Sequence, residues 1–157
     1  MTHDGRADFD FFIGRWSVAH RRLARRLADC DDWIAFDGTC VTRHILQGQG
    51  NMDDNIVNLP GDPYAAVSTR LYDPGTGLWS VYSIDARSLT IDPPVRGRFE
   101  AGAGTFLGED VLEGRPIRVR FLWSDITPLT ARWSQAFSPD GGDSWETNWI
   151  MDFTRAA

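Results

Sequence analysis

The sequence predicts an all-β chain: a single antiparallel, up-and-down β-barrel of about 8–10 strands with a short N-terminal helical plug. Three observations carry this. Residues 129–153 read as a β-hairpin with one aromatic face. About ten short segments rich in β-formers follow one another, divided by Gly, Pro and Asp turn signals, at the spacing of a sandwich or barrel. Among 157 residues, 7 Trp, 9 Phe and 3 Tyr stand beside 15 Gly and 8 Pro, a mix that favours strands and turns over helices. One antiparallel sheet of that size with one apolar face curls and closes, which also removes its edges. No repeat, low-complexity tract or linker divides the chain, so residues 1–157 are expected to form one domain.

Taken in order, residues 1–7 are polar and expected to fray, and residues 8–14 (Asp-Phe-Asp-Phe-Phe-Ile-Gly) are an apolar plug of about one helical turn. Residues 15–27 satisfy two periods. Trp16, Ala19, Leu23 and Leu27 fit a helix, whereas Trp16, Val18, His20 and Arg22 fit one face of a strand. Residues 33–46 read as a strand with Gly38 a candidate bulge, residues 47–54 as a loop, and residues 56–59 as a short extended piece stopped by Pro60-Gly61. Residues 64–72 and 78–85 flank Asp73-Pro-Gly-Thr-Gly77, a hairpin turn. Further strands fall at residues 95–100, 105–113 and 117–123. In the last, Ile117, Val119, Phe121 and Trp123 share one face.

Counting the turn residues as unpaired sets the registers. In the first hairpin Leu71 faces Trp79, Thr69 faces Val81 and Val67 faces Ser83, leaving Arg70 and Tyr72 on the other side. In the C-terminal hairpin Phe137 faces Trp145, Gln135 faces Thr147, Trp133 faces Trp149 and Ala131 faces Met151. That inner face is aromatic. Glu146 and Asn148 fall outside. Turned inward, they would become a candidate acid and its orienter.

Composition excludes several chemistries. All sixteen basic residues are Arg, so no lysine can form a Schiff base, act as general base or grip a phosphate loop. A net charge of -6 argues against nucleic acid or an anionic membrane as partner. Cys30 and Cys40 are too few for a disulfide framework. No signal-like segment or membrane-length apolar run occurs, so a cytoplasmic protein with free thiols is expected. With only His3, His20 and His44, and no His-x-His or Cys-x-x-Cys, no metal site is expected. Nucleophile elbows, phosphate loops and dinucleotide fingerprints are absent, and no cofactor is implied. The arginines at 21, 22, 25 and 26 read as strand-face charges that deter aggregation.

Gly14-Arg-Trp16, following an apolar turn at the head of the first strand, resembles the Gly-x-Trp signature of lipocalins and the wider calycin superfamily. That resemblance implies a barrel whose end is closed by Trp16, with Arg155 from the last strand lying against it. Over nearly its whole length the chain is similar to an uncharacterised bacterial family of calycin-like (lipocalin- and fatty-acid-binding-protein-like) barrels. The similarity is carried by Asp10-Phe-Phe-Ile-Gly-Arg-Trp16, Gly50-Asn51, Arg70-Leu-Tyr-Asp-Pro74, Ser138-Pro-Asp-Gly-Gly142 and Trp145-Glu-Thr-Asn-Trp149. It implies a fold and no activity. Ser138-Pro-Asp-Gly-Gly-Asp-Ser-Trp145 also resembles the Asp-box hairpin of propellers, here one copy acting as a folding device.

The candidate ligand-binding residues are those the patterns turn inward: His20, Arg22, Trp79, Val81, Phe121, Trp123, Trp133, Gln135, Thr147 and Trp149. A few polar groups on an aromatic wall are what a small-molecule site needs. His20 and Arg22 could instead lie solvated at the open mouth, and Gln135 with Thr147 could form a self-satisfied pair. The reading that follows is binding of a small, largely apolar or aromatic molecule. Two alternatives remain: a barrel enzyme of the cyclase or isomerase kind with His20 as acid–base group and Arg22 holding an anion, and haem binding through His20 or His44. A homodimer is left open.

Overall fold

A computed structural model describes residues 4–157; His3 lies outside the described residues. Two 3-10 turns, Gly5–Ala7 and Asp10–Phe12, precede ten strands: β1 (Gly14–Leu23), β2 (Trp33–Ile45), β3 (Gly50–Val57), β4 (Tyr64–Asp73), β5 (Leu78–Asp85), β6 (Val95–Glu100), β7 (Ala103–Leu112), β8 (Arg115–Ser124), β9 (Thr130–Ser138) and β10 (Glu146–Arg155). Each strand pairs antiparallel with the next, and β1 closes on β10. The expected all-β barrel with an N-terminal helical plug is therefore what the chain forms. Among the described residues no helix is long and apolar enough to cross a membrane.

Of residues 15–27, residues 15–23 form strand, with Trp16, Val18 and His20 buried in alternation, and residues 24–27 belong to the connection that follows. The helical period in this stretch came from Leu27, which lies beyond the strand. Gly38 is no bulge, since β1 and β2 pair there without a shift. A Cβ at residue 38 would lie 2.3 Å from the Ile56 carbonyl oxygen and 2.9 Å from His20 Nε2, so glycine is what lets the His20 ring pass over β2.

Two registers and one element differ from the expected ones. The turn between β4 and β5 has four unpaired residues, so Tyr72 faces Trp79 and Arg70 faces Val81. The whole face carrying Arg70 and Tyr72 therefore turns inward, because a one-residue slip exchanges the two faces of a strand. Residues 50–54, expected as loop, belong to β3, where buried Asn51 and Asp53 break the apolar alternation. In β10 the register shifts between Thr147 and Trp149, making Asn148 a bulge. Trp149 consequently faces Gln135 and Met151 faces Trp133, with Glu146 opposite Phe137.

The turn before β10 is held as its sequence suggests. Asp140 accepts from Ser144 N (2.9 Å) and from the Ser144 hydroxyl, and Gly142 N donates to Ser138 Oγ (2.8 Å). The two bonds from Ser144, with one from the Ser138 hydroxyl (2.8 Å), hold the Asp140 carboxyl down at about 2. Trp145 donates from Nε1 to the Gly142 carbonyl and lies on the outside beneath Arg120 (4.5 Å).

One end of the barrel is packed solid. Phe9 meets Trp79, Phe99 and Phe106 at centroid distances of 4.9, 4.8 and 5.7 Å, and Phe12 meets Trp123 at 4.7 Å. Trp16 Nε1 donates to the Phe12 carbonyl (2.9 Å). Gly14 has φ +123°, and a Cβ there would lie 2.6 Å from Arg155 Nη1, so the signature glycine makes room for the terminal arginine. Arg155 stacks over Trp16 (4.2 Å) and donates to the carbonyls of Ile13 (2.7 Å), Phe11 (2.7 Å) and Pro128 (2.9 Å). Arg155→Ala removes all of these, and a loss of about 2–3 kcal/mol is expected from the urea midpoint at constant m. An unchanged midpoint would contradict the clasp.

Candidate ligand cavity

Above the plug the rings no longer fill the interior, and a cavity of about 270 Å³ opens toward the other end of the barrel. This is close to the lower end of the roughly 300–1,000 Å³ typical of small-molecule sites. Its floor is Phe12 and a buried polar cluster. Arg70 donates from Nη2 to Asp53 Oδ2 (2.7 Å) and from Nη1 to Asn51 Oδ1 (2.9 Å). Asp53 Oδ1 accepts in turn from Ser68 N (2.8 Å) and Asn55 Nδ2. The two charged side chains are 6% and 3% exposed. Arg70 Nε is buried without an acceptor among the described residues, and breaking such a pair by removing one partner costs about 3–5 kcal/mol. Arg70 also lies over Phe12 (5.0 Å) and Phe9 (5.3 Å), which ties the floor to the plug. In the sequence, Asn51 and Arg70 stand out only as residues that carry the family resemblance, and the turn beside Arg70, counted one residue too long, places it outside.

The wall is aromatic. Trp133 stands edge-on to Phe121 (4.9 Å) and to Trp149 (5.4 Å), with Val81 on the opposite strands and Trp123 deeper, against Phe153 (5.5 Å). Gln135 lines the same wall and donates from Nε2 to Asn148 Oδ1 (2.8 Å). The bulge is what brings Asn148 to it: Asn148 is fully buried, and its Nδ2 has no hydrogen-bond partner among the described residues. Arg22, Val81, Phe121, Trp123, Trp133, Gln135 and Trp149 of the expected residues thus line the cavity.

Three of the expected residues do not. Thr147 is exposed on the outer face, because the bulge at Asn148 reverses the alternation before Trp149. Trp79 is buried in the plug, donating to the Gly5 carbonyl (3.2 Å). His20 lies behind Trp149, whose Nε1 donates to His20 Nδ1 (3.0 Å), and its ring stacks on Phe36 (4.7 Å). Accepting at Nδ1 places the proton of the neutral imidazole on Nε2. Burial first, then the charge of Arg22, pushes His20 down to about 4, against a smaller upward pull from Asp37. A neutral imidazole whose acceptor nitrogen holds an indole is a positioning group for Trp149. It is not placed as the acid–base group or haem ligand that the sequence suggested. His44 is half-exposed, 3.7 Å from Asp10 at the plugged end, away from the cavity. Cys40 is buried, its thiol pushed up to about 12 by desolvation and the Asp53 charge, and Cys30 is a free thiol in the β1–β2 connection. Glu146 turns to the β1–β2 connection, accepting from Leu27 N (2.8 Å).

At the mouth Arg22 donates from Nη1 to Tyr64 Oη (3.2 Å) and lies over the Trp149 ring at 4.5 Å. Tyr64 is covered on its other side by Arg87 (3.6 Å), which is bound to Asp85 (2.7 Å) and Asp62 (3.1 Å). Burial raises the Tyr64 phenol.

Among solved structures the barrel is similar to an S-type phycobiliprotein lyase from Guillardia theta, at a TM-score of 0.62 and 8% sequence identity over 99% of this chain and 94% of that one. The fold is a calycin-like barrel. No protein-family model matches the chain, and no curated protein does. Within the calycin-like barrel the Trp16–Arg155 contact stands where the Gly-x-Trp resemblance implies it.

The His20 environment sets a pH dependence. An unfolded chain protonates this imidazole below about pH 6.5, whereas the folded barrel refuses the proton until about pH 4, so its stability contribution is full above the first value and falls with acid between the two. Between pH 6.5 and 5 stability should drop by about 2 kcal/mol, and His20→Gln, which keeps an acceptor without titrating, should lack that component in urea denaturation. Equal losses in both proteins would show that His20 is not held neutral.

Proposed function

We propose that the barrel is a binding protein for a small, largely apolar or aromatic molecule, held in the cavity against Trp133, Trp149 and Phe121. The observation that carries this is an aromatic-walled space left open above a plug that fills the rest of the interior. Close packing is the ordinary state of an interior, and apolar cavities of this kind accept apolar guests. Gln135, Asn55 and Ser68 supply the few polar groups that orient such a guest. The similarity to a phycobiliprotein lyase is consistent with a barrel of this shape serving a small molecule. The rigid indole arrangement, with Trp149 fixed by His20, favours a planar body over a flexible one, since edge-to-face and stacked contacts reward flat rings.

Filling the cavity tests this. N-phenyl-1-naphthylamine, a neutral aromatic reporter, is expected to bind the wild-type protein with quenching of tryptophan fluorescence. Val81→Phe and Val119→Phe, which place a ring in the space, should weaken binding by at least about tenfold, about 1.4 kcal/mol. Near-UV circular dichroism confirms that the variants fold. Reporter binding unaffected by both would place it elsewhere and sink the proposal.

A further inference from the structure

Two arginines at the mouth are not paired by the protein. Arg22 uses its ring-facing side on Trp149 and one amino group on Tyr64, leaving the edge formed by Nε and Nη2 without an acceptor among the described residues. Its Nε is buried. Arg26, from the connection that follows β1, lines the same cavity half-buried, and no hydrogen bond or ion pair holds it among the described residues. Burial, then repulsion from Arg22, lowers its affinity for its own proton. The other guanidiniums lining the cavity are neutralised by carboxylates: Arg70 by Asp53, although its Nε is also buried without an acceptor among the described residues, and Arg87 by Asp85 and Asp62.

Asp85, which Arg22 also influences, is bound by Arg87, and Glu113 acts on Arg26 without an ion pair among the described residues, whereas Asp92 and Asp110 lie on the far arc. Asp92 and Asp110 line the cavity from the β5–β6 connection and β7, and β6 stands opposite β1 in the ring of ten strands. Burial, then Asp110 and Asp85, pushes the Asp92 carboxyl up, so that side disfavours any further negative charge. An anion is therefore directed to the β1 side, and the floor, where Arg70 and Asp53 cancel, does not compete for it.

We propose that Arg22 and Arg26 form a carboxylate site at the mouth, so that the barrel's ligand is an acid with its apolar or aromatic body inward and its head between these two guanidiniums. The inference rests on the cavity being a ligand site. A planar guanidinium with a free Nε–Nη2 edge matches a carboxylate through two parallel bonds. An oxyanion there satisfies a buried donor that is otherwise orphaned, and it separates two like charges held in one rim.

The test uses three matched ligands displacing N-phenyl-1-naphthylamine from the wild-type protein: 2-naphthoate, its methyl ester and 2-naphthylmethylamine. The acid is expected to bind at least about tenfold more tightly than the ester, because its bonds to the guanidiniums are charge-assisted. Raising the salt concentration should narrow that gap. Arg26→Gln should weaken the acid by about tenfold and narrow the gap likewise. Ester and acid binding equally would overturn the carboxylate site while leaving the cavity reading intact. A preference for the amine would overturn it too, by showing that Asp92 and Asp110 set the choice. A protein that binds neither the reporter nor any of the three fails the cavity reading, and the carboxylate site with it.

Discussion

Arg155 joins the last strand, the first strand and the plug in one contact. Its backbone pairs with Trp16, its guanidinium covers the Trp16 indole, and its amino groups hold the carbonyls that end the second plug turn. Everything along the β1–β10 seam follows from that register. Val18 lies beside Phe153, His20 beside Met151, and Arg22 beside Trp149. A slip of one residue would turn Trp149 to solvent and bring Thr154 and Asp152 inside. The clasp at one end thus decides which groups stand at the mouth, two turns of alternation away.

The interior divides into a half that is packed and a half that is lined. In the packed half, aromatic rings from the plug and from five strands meet at van der Waals distance. The boundary is the Arg70–Asp53 pair, which two plug phenylalanines cover from below. A buried ion pair is weak support for stability in itself. Here its bonds fix β3 against β4 at the level where the cavity begins. Above it, the side chains touch their neighbours along the wall and leave the space between the walls open. His20 has a comparable part on the opposite side: neutral, buried and out of reach of the cavity, it determines how Trp149 faces it.

The sequence showed the barrel and its plug well and the site in part. Alternation read β8 and β9 correctly because their inner positions are apolar or aromatic except for Gln135. It failed where polar residues point inward. Asn51 and Asp53 made β3 look like loop, and Arg70 was placed outside by a turn counted one residue too long, its charge giving no reason to doubt that side. The Asn148 bulge inserts one residue into an otherwise regular hairpin, so Trp149 was expected inside correctly but opposite the wrong partner, and Thr147 was expected inside although it faces out. No local signal announces a bulge whose extra residue is itself buried and polar. Arg26 was noticed only as part of a charge run, because its place over the cavity depends on how the β1–β2 connection folds back.

The seven indoles divide among plug, wall and exterior, so they report directly on where a guest sits. A 1H–15N NMR titration of the indole N–H groups with a neutral aromatic ligand is the most direct measurement of the central claim. The resonances of Trp133 and Trp149 should move with ligand, while those of Trp16 and Trp79 in the plug and Trp145 outside stay in place. Movement confined to Trp145, or no movement at Trp133 and Trp149 under saturating ligand, would contradict a binding cavity.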